Sequence, residues 1–283
     1  MATYLDRILA AHRLTAAGDE RPVAALLAAA EAAPPARGFA AALAAETRLA
    51  VIAEVKRRSP SKGELAPGLD PAALGASYAA GGAACLSALT DAEFFGGSPA
   101  DLAAARAGSG LPVLRKDFTV CERDVLDARV MGADCVLLIA AALDDAELAA
   151  FHALAAEVGL DALVEIHDEA ELERALAVGA TLVGVNQRDL VTFEVDTARA
   201  ERMAPLMPPE VVRVAESGIG GPADAARLAA AGYHAVLVGE SLVRAADPAA
   251  AVAALRLPVP GPSQYSHSQH SHSRDSRERG ARA

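Results

Sequence analysis

The sequence predicts a single (β/α)8 barrel with an N-terminal helical extension and a disordered C-terminal tail. Eight short runs of β-prone residues alternate strictly with Ala-rich segments that are long enough for helices. Hydrophobic residues make up 53% of the 283 residues, which is enough to bury one large core. A doubly wound sheet would alternate as well, but no G-x-G-x-x-G motif follows the first run. A closed barrel is therefore the better prediction.

The first 48 residues are predicted to be helical and to pack on the barrel as an extension. Ala and Leu dominate this segment, and Leu5, Ile8 and Leu9 recur at helical spacing. The Pro34-Pro35 pair interrupts it before another short helix.

The barrel is predicted over residues 49–257. Its strands are expected at 51–56, 84–89, 112–116, 134–140, 161–166, 181–187, 212–216 and 235–239. Asp70, Ser98 and Asp168 precede helical segments and are good N-caps. Glycines lie where several helices should end, namely Gly81, Gly82, Gly132, Gly159, Gly179 and Gly232.

The composition changes abruptly at Pro258. Residues 258–283 are rich in Ser, His and Arg and almost free of aliphatic side chains, so we predict a disordered tail. His267, His270 and His272 could bind a metal weakly, but nothing would hold them in place. A solvated tail is the preferred interpretation.

Charge and cysteine usage exclude several classes of protein. Lys plus Arg is 26 and Asp plus Glu is 37, so the formal net charge is −11, which argues against nucleic-acid binding. No uninterrupted run of about 18 apolar residues occurs, so we expect no membrane span. The three cysteines, Cys85, Cys121 and Cys135, form no C-x-x-C pair, which favours a reducing cytoplasm with inert thiols.

The active site of such a barrel lies at the carboxyl ends of its strands, and charged residues occur there. Glu54 and Lys56 end the first strand at same-face spacing, Lys116 ends the third and Glu165 ends the fifth. We expect the second lysine to lower the pKa of Lys116, which suits a proton donor. The alternatives are a buried Glu54–Lys56 ion pair and a rim lysine that pairs with Asp117.

The later strands add a polar pair and two small-residue turns. Asn186 and Arg188 end the sixth strand and could bind a hydroxyl and a carboxylate, although Arg188 could instead pair with Asp189. Ser217 and Gly218 follow the seventh strand, and the eighth strand is followed by Gly239, Glu240 and Ser241. Exposed amides at helix starts would form a phosphate cradle, with the Glu240 side chain turned outward. The loop over residues 57–70 is long enough for a mobile lid or a plain surface loop.

The order of motifs resembles the indole-3-glycerol-phosphate synthase family from about residue 3 to about 255. The first is IAEVKRRSPSKG at 52–63. The others are LTDAEFFGGS at 89–98, LPVLRKDF at 111–118, LVEIHDEAELERAL at 163–176, VGVNQRDL at 183–190, VAESGI at 214–219 and VLVGESL at 236–242. The tail has no counterpart in the family pattern.

This resemblance implies a reaction of tryptophan biosynthesis. The substrate would be 1-(2-carboxyphenylamino)-1-deoxyribulose 5-phosphate, which closes to indole-3-glycerol phosphate with loss of CO2 and water. Lys116 would be the general acid, Glu165 the later base, and Lys56 a contact to the carboxylate or phosphate and a second donor. Glu54 and Asn186 would hold the sugar hydroxyls. Arg188 would support Glu165 and Glu54.

The resemblance also implies binding residues, with no metal or other cofactor. Ser59, Phe95 and Phe118 would shape the aromatic pocket, with Leu137 and Leu237 as its apolar walls. Ser217, Gly218, Gly239, Glu240 and Ser241 would carry the phosphate turns. We expect a cytoplasmic monomer, with other tryptophan-pathway enzymes as conceivable partners. The alternatives are another phosphate-binding barrel enzyme of the sugar-phosphate isomerase type, a Schiff-base aldolase, or a catalytically silent ligand-binding paralogue.

Overall fold

Eight parallel strands close into a barrel in the computed structural model, which describes residues 3–60 and 62–259. The strands are β1 (Ala50–Val55), β2 (Cys85–Leu89), β3 (Val113–Lys116), β4 (Cys135–Ile139), β5 (Asp161–Ile166), β6 (Leu182–Asn186), β7 (Val212–Glu216) and β8 (Ala235–Val238). Each pairs with its neighbour along the chain, and β1 closes on β8 with Ala50 opposite Ala235. The predicted (β/α)8 barrel is confirmed.

Helices surround the barrel and precede it. They are α1 (Tyr4–Ala17), α2 (Val23–Ala32), α3 (Phe39–Ala44), α4 (Pro71–Ala80), α5 (Pro99–Ser109), α6 (Glu122–Val130), α7 (Asp145–Glu157), α8 (Glu169–Ala177), α9 (Arg199–Met203), α10 (Pro222–Ala230), α11 (Glu240–Val243) and α12 (Pro248–Leu255). The side chains of Asp70, Ser98 and Asp168 accept hydrogen bonds from the first-turn amides of α4, α5 and α8. These N-cap predictions are confirmed, because each oxygen satisfies an amide without a partner in its own helix.

Three connections depart from a simple strand–helix alternation. The loop after β1 contains a two-stranded hairpin that pairs Arg58–Ser59 with Gly63–Glu64. The loop after β6 is bridged between Arg188 and Val195 before the five-residue helix α9 begins. The short helix α11 and then α12 follow β8. Each departure lies at the end of the barrel where functional loops are found.

The apolar core has two layers, separated by the strands. Alternate strand residues such as Ile52, Leu114 and Leu163 fill the barrel interior and are fully buried. Their neighbours, such as Val51 and Val164, face the surrounding helices and belong to the outer layer. The two layers follow from the two-residue period of a strand, because successive side chains point to opposite faces.

The N-terminal helices cover both ends of the barrel. Leu5 and Ile8 of α1 are buried in the same cluster as the barrel interior. The α3 segment lies at the amino ends of the strands, where the amide of Ala40 donates to Asp161 Oδ2 at 2.9 Å. The extension therefore closes the bottom of the barrel through α3 and reaches the other end through α1.

Packing contacts continue past the predicted boundary at residue 257. Pro258 forms an antiparallel bridge with Arg48, and Val259 packs against the outer apolar layer. The first two residues of the predicted tail therefore belong to the packed part of the chain. The predicted disorder over the rest of the tail falls on residues 260–283, which lie outside the described residues.

The helices within the described ranges are short, and α1 has 14 residues. Over residues 3–60 and 62–259, no helix combines the length and apolarity that a bilayer span requires. Cys85 and Cys135 are buried and Cys121 is half-buried, and all three thiols are free. Burial raises the pKa of each of these thiols, which keeps them protonated.

Candidate active site

A cavity of about 950 Å³ opens at the carboxyl ends of the strands. All sixteen residues singled out from the sequence line it, although they come from all eight strands or the loops that follow them. They are Glu54, Lys56, Ser59, Phe95, Lys116, Phe118, Leu137, Glu165, Asn186, Arg188, Ser217, Gly218, Leu237, Gly239, Glu240 and Ser241. Closure of the barrel brings these distant positions together, because all the strand ends meet on one face.

Lys116 lies at the centre of the polar part of the cavity. Its Nζ is 3.3 Å from Glu165 Oε2 and 3.8 Å from Glu216 Oε2. The side chain of Asn186 donates from Nδ2 to the other oxygen of this carboxylate, Glu165 Oε1, at 3.1 Å. Lys116 and Asn186 therefore bind different oxygens of Glu165. Both carboxylates are almost fully buried, whereas the Lys116 side chain is 17% exposed to the cavity. A substrate can therefore reach the ammonium directly.

The expected lowering of the pKa of Lys116 is wrong. Burial by itself lowers this pKa, but the carboxylates of Glu165, Glu216 and Glu54 outweigh burial and raise it above its usual value. The sequence placed a second lysine nearby but did not show that three acidic side chains surround this one. Lys116 is consequently charged at neutral pH.

The two carboxyl groups beside Lys116 have pKa values that are shifted in opposite directions. Burial raises the pKa of Glu165, but Lys116, His167 and Asn186 lower it further, so the net shift is downward. The pKa of Glu216 lies well above its usual range, because burial and the negative charge of Glu165 both oppose its ionisation. Ionisation is therefore favoured at Glu165 and disfavoured at Glu216.

Glu216 is a site residue that the sequence prediction omitted. It ends β7 just as Glu165 ends β5, and this shared position was the available signal. Its Oε1 is buried without a hydrogen-bond partner among the described residues. A side chain at Gly184 on the neighbouring strand would collide with this oxygen, so the glycine provides the space that Glu216 occupies.

Glu54 and Lys56 form a direct ion pair at the end of β1. Glu54 is buried, and the Lys56 side chain is 17% exposed to the cavity. A Cβ atom at Gly239 would collide with the Glu54 carboxylate and lie 2.9 Å from Lys56 Nζ. Gly239 thus leaves room for this pair in addition to its predicted place in the phosphate turn.

Arg188 does not make the contacts that the family resemblance implied. Its Nη1 donates to the carbonyl of Phe193 at 3.0 Å, and its amide donates to Asn186 Oδ1 at 3.0 Å. Within the described chain, no ion pair joins its guanidinium to Glu165 or Glu54, so the support of these carboxylates stays a prediction. The loop of residues 189–195 draws the side chain towards the mouth of the cavity, where it also lines the wall.

The two predicted phosphate turns lie side by side after β7 and β8. Ser217 and Gly218 have φ angles of 64° and 69°, a left-handed conformation that glycine adopts readily and serine rarely. Gln187 Nε2 donates to the Ser217 carbonyl at 2.8 Å, which stabilises the unusual residue. The Ser241 hydroxyl donates to the carbonyl of Ile219 at 3.1 Å and ties the two turns together.

The Glu240 carboxylate lies at the rim beside cationic side chains. Its Oε1 is 3.4 Å from Arg244 Nη1 and 3.9 Å from Lys62 Nζ on the loop after β1. The nine-residue helix α10 and the short helix α11 begin after the two turns. Two helix starts and nearby cations provide an environment that suits a phosphate group.

The opposite wall of the cavity is apolar and includes residues that the sequence prediction missed. The rings of Phe95 and Phe118 lie 6.4 Å apart at 36°. Tyr4, Leu5 and Ile8 of α1 complete this wall. The helical spacing of Leu5 and Ile8 was visible in the sequence, but nothing local showed which part of the barrel this face would meet.

Comparisons with known proteins agree on one family. The family model described as "Indole-3-glycerol phosphate synthase" matches residues 5–255. A protein of that name from Nocardioides sp. is 59% identical over 202 residues, which are 71% of this chain and 78% of the relative. Another, from Laribacter hongkongensis, is 49% identical over 261 residues, which are 90% of this chain and 99% of the relative.

Solved structures with similar folds are more distant in sequence. A thiamine phosphate pyrophosphorylase from Pyrococcus furiosus superposes with a TM-score of 0.55 at 16% identity. The alignment covers 74% of this chain and 94% of that structure. At this level of identity the likeness supports the barrel fold alone.

Proposed function

We propose a chemical role for each part of the cavity, on the premise that this chain belongs to the indole-3-glycerol phosphate synthase family. The chain is accordingly a decarboxylating lyase of tryptophan biosynthesis that acts on a phosphorylated small molecule. The reaction closes 1-(2-carboxyphenylamino)-1-deoxyribulose 5-phosphate to indole-3-glycerol phosphate, CO2 and water. The observation that carries the assignment of roles is the Lys116 ammonium between Glu165 and Glu216.

Lys116 is the general acid of ring closure in this proposal. The aromatic carbon that bears the carboxylate attacks the ketone carbon, and the carbonyl electrons move onto oxygen. A developing alkoxide is more basic than an amine, so an ammonium with a raised pKa still protonates it favourably. The neighbouring carboxylates keep Lys116 protonated before the substrate arrives. Loss of CO2 then returns its bonding electrons to the ring.

Glu165 is the base of the final dehydration. The hydroxyl formed from the ketone receives a proton from Lys56 and leaves as water, while the adjacent ring carbon gives up a proton to the base. A carboxylate held in its charged form by Lys116 can accept that proton. Burial and the charge of Glu165 raise the pKa of Glu216, and in its protonated form this carboxyl group can donate a hydrogen bond within the same site.

Lys56 and Arg188 provide positive charge for the anionic groups of the substrate. Lys56 contacts the carboxylate or the phosphate and serves as a second proton donor, while Glu54 keeps it in place. Arg188 lines the mouth of the cavity, where its guanidinium can exchange the Phe193 carbonyl for an anionic oxygen. Glu54 and Asn186 hold the sugar hydroxyls.

The remaining residues shape the binding space. The phosphate binds to the turns at Ser217–Gly218 and Gly239–Ser241, chiefly through backbone amides. The anthranilate ring lies against the apolar wall of the cavity. That wall includes Phe95, Phe118, Leu137 and Leu237, with Ser59 on the loop above it. The separation of polar and apolar walls orients a substrate that is aromatic at one end and phosphorylated at the other.

The organisation of the chain is proposed in the same way. Residues 1–48 form an extension, 49–257 the catalytic barrel and 258–283 the tail, with the first two tail residues packed on the barrel. We further propose a monomer that works in the cytoplasm without a cofactor. Size-exclusion chromatography with light scattering tests the oligomeric state.

The activity is tested by incubating the purified protein with 1-(2-carboxyphenylamino)-1-deoxyribulose 5-phosphate. We expect the fluorescent indole product and CO2 to form in equal amounts. The absence of both products would contradict the assigned reaction.

Glu165→Gln keeps the shape of the side chain but removes the base. Under single-turnover conditions we expect this variant to release CO2 faster than it forms indole, because a hydroxylated intermediate accumulates. Equal rates for both products at the parental value would rule out Glu165 as the base.

A further inference from the structure

His167 lies immediately behind the proposed base but does not take part in the mechanism above. It follows the end of β5 by one residue, and its side chain is 12% exposed. Its Nε2 is 3.8 Å from Glu165 Oε1. The same nitrogen is buried and has no hydrogen-bond partner among the described residues. A buried polar atom in this position requires an explanation, because proteins rarely leave such atoms unpaired.

Glu171 fixes the orientation of the imidazole ring. Its Oε2 accepts from the His167 amide at 2.7 Å and lies 3.0 Å from His167 Nδ1. Glu171 belongs to the first turn of α8, where the Asp168 side chain caps the amide of Glu171 itself. The ring is therefore held by the start of a helix, with Nδ1 directed at one carboxylate and Nε2 at another.

The charge state of the ring follows from this geometry. A proton on Nδ1 is needed for the bond to Glu171, since a carboxylate can only accept. If the imidazole were neutral, the lone pair of Nε2 would face the charged Glu165 carboxylate. If it is an imidazolium, an N–H faces that carboxylate and the contact becomes attractive.

We propose that His167 is a positioning residue that, as an imidazolium oriented by Glu171, keeps the Glu165 carboxylate ionised and in place. The proposal rests on the proposed role of Glu165 as a base. It assigns the histidine no contact with substrate, because His167 is not among the residues that line the cavity.

The surrounding charges are consistent with this assignment. Burial lowers the pKa of His167, but Glu171 and Glu165 together raise it above the ordinary value. Arg199 on α9 opposes them and also donates to the carbonyl of Asn186 at 2.8 Å. The other oxygen of Glu165, Oε2, lies 3.3 Å from Lys116 Nζ, and Glu216 Oε2 lies 3.8 Å from the same ammonium.

Histidine NMR measures the contact without reference to turnover. The chain has seven histidines, and the signal that disappears in His167→Gln identifies this one. We expect Glu165→Gln to lower the pKa of His167 by about one unit, because it removes a neighbouring negative charge. Glu171→Gln should lower it as well. An unchanged pKa in Glu165→Gln would overturn the proposal, since the two side chains would then not interact.

Kinetics test whether the contact matters for catalysis. His167→Leu removes the charge and the N–H donors, whereas His167→Gln keeps a donor. Loss of the imidazolium raises the pKa of Glu165, so the acid limb of the kcat profile should move to higher pH. Each unit of displacement lowers kcat on that limb about tenfold. The displacement should be largest in His167→Leu and smaller in His167→Gln, with KM nearly unchanged.

The matched control is His152→Gln on α7, whose histidine does not line the cavity. Its kcat profile should coincide with that of the parent. If the His167 variants melt at lower temperature but keep the parental acid limb, and NMR shows no coupling to Glu165, the histidine is only a structural part of the loop and the positioning role is overturned. If the NMR coupling is present while the limb stays in place, Glu165 ionisation does not control turnover. That result contradicts the base assignment but leaves the contact itself established.

Discussion

At the residue scale, Lys116 shows how burial and charge act in opposite directions on one ammonium. Burial disfavours the charge, while Glu165, Glu216 and Glu54 favour it and prevail. The pKa shifts favour ionisation of Glu165 and oppose that of Glu216, so the negative charge beside the Lys116 ammonium lies chiefly on Glu165. This balance makes the buried site tolerable, because an unpaired charge in such a place would be strongly destabilising.

The phosphate turn gives a prediction for a single glycine. A Cβ atom at Gly218 would lie 2.6 Å from Val195 Cγ1, and the φ of 69° is strained for any larger residue. We expect Gly218→Val to distort the turn and to raise KM by roughly tenfold or more, equivalent to about 1.4 kcal/mol. Steady-state kinetics and competition by inorganic phosphate measure this effect.

The control for that glycine is its near neighbour Gly221. Gly221 has an extended φ of 175° and open space around its Cβ position. Gly221→Ala should therefore leave KM near the parental value. A Gly218→Val enzyme with normal KM and normal competition by phosphate would show that the phosphate binds elsewhere.

At the element scale, an ion pair joins helix α1 to the loops that follow β2 and β3 beside the cavity. His12 Nε2 is 3.0 Å from Asp91 Oδ2 and 3.8 Å from Asp117 Oδ1. Histidine and aspartate side chains can bind a metal ion, and the nitrogen and oxygen atoms of these three lie within 4.8 Å of one another. Asp117, however, already pairs with Arg115 at 3.1 Å. We therefore interpret the group as a structural contact. Asp91 also accepts from the amide of Phe95, which links the helix to the apolar wall.

The His12 contact predicts a pH-dependent stability. Burial lowers the pKa of His12, but Asp91 and Asp117 raise it above 6.5 overall. A raised pKa means that the extra stability is complete below pH 6.5 and is lost as the pH rises through the folded-state value. We expect His12→Ala to lower the free energy of unfolding by about 1–2 kcal/mol at pH 6 and by less at pH 9.

Urea unfolding at the two pH values measures this difference. His12→Gln keeps a hydrogen-bond donor without the charge, so it should lose the pH dependence and recover part of the stability. An equal loss at pH 6 and pH 9 in His12→Ala would show that the contact does not depend on the imidazolium.

The strands were predictable from the sequence, and several connections were not. Each barrel strand is a largely buried β-prone run that can be recognised locally, and β3 lies directly between Pro112 and Asp117. The predicted run 161–166 coincides with Asp161–Ile166. The hairpin after β1 and the bridge between Arg188 and Val195 depend on contacts between loops. Residue types alone do not specify such contacts.

At the scale of the whole molecule, barrel closure explains why most site positions could be predicted before any distance was known. Polar residues at the ends of β1, β3, β5 and β6 must meet if the strands form one parallel barrel. The protonation of Lys116 and Glu216 could not be predicted in this way, because it depends on separations of a few ångströms. The contact between the Arg188 side chain and the Phe193 carbonyl depends on how the loop after β6 folds.

The tail gives a prediction about the whole chain. Pro258 and Val259 pack on the barrel, whereas residues 260–283 are too polar in sequence to bury a surface. We expect a chain that ends at Val259 to keep the parental melting temperature and kcat/KM. A chain that ends at Leu257 should melt at a lower temperature, because it lacks the bridge to Arg48. A large loss of stability in the chain that ends at Val259 would show that the tail contributes to the fold.

The central claim is that Lys116 donates the proton that drives ring closure. Lys116→Met keeps the apolar stem and removes the donor, so single-turnover ring closure should slow by roughly 10²-fold or more. Substrate affinity, measured separately by equilibrium binding, should remain close to that of the parent, because the phosphate and carboxylate bind elsewhere in the cavity. Ring closure at nearly the parental rate in Lys116→Met would contradict the account and make Lys56 the next candidate for the acid.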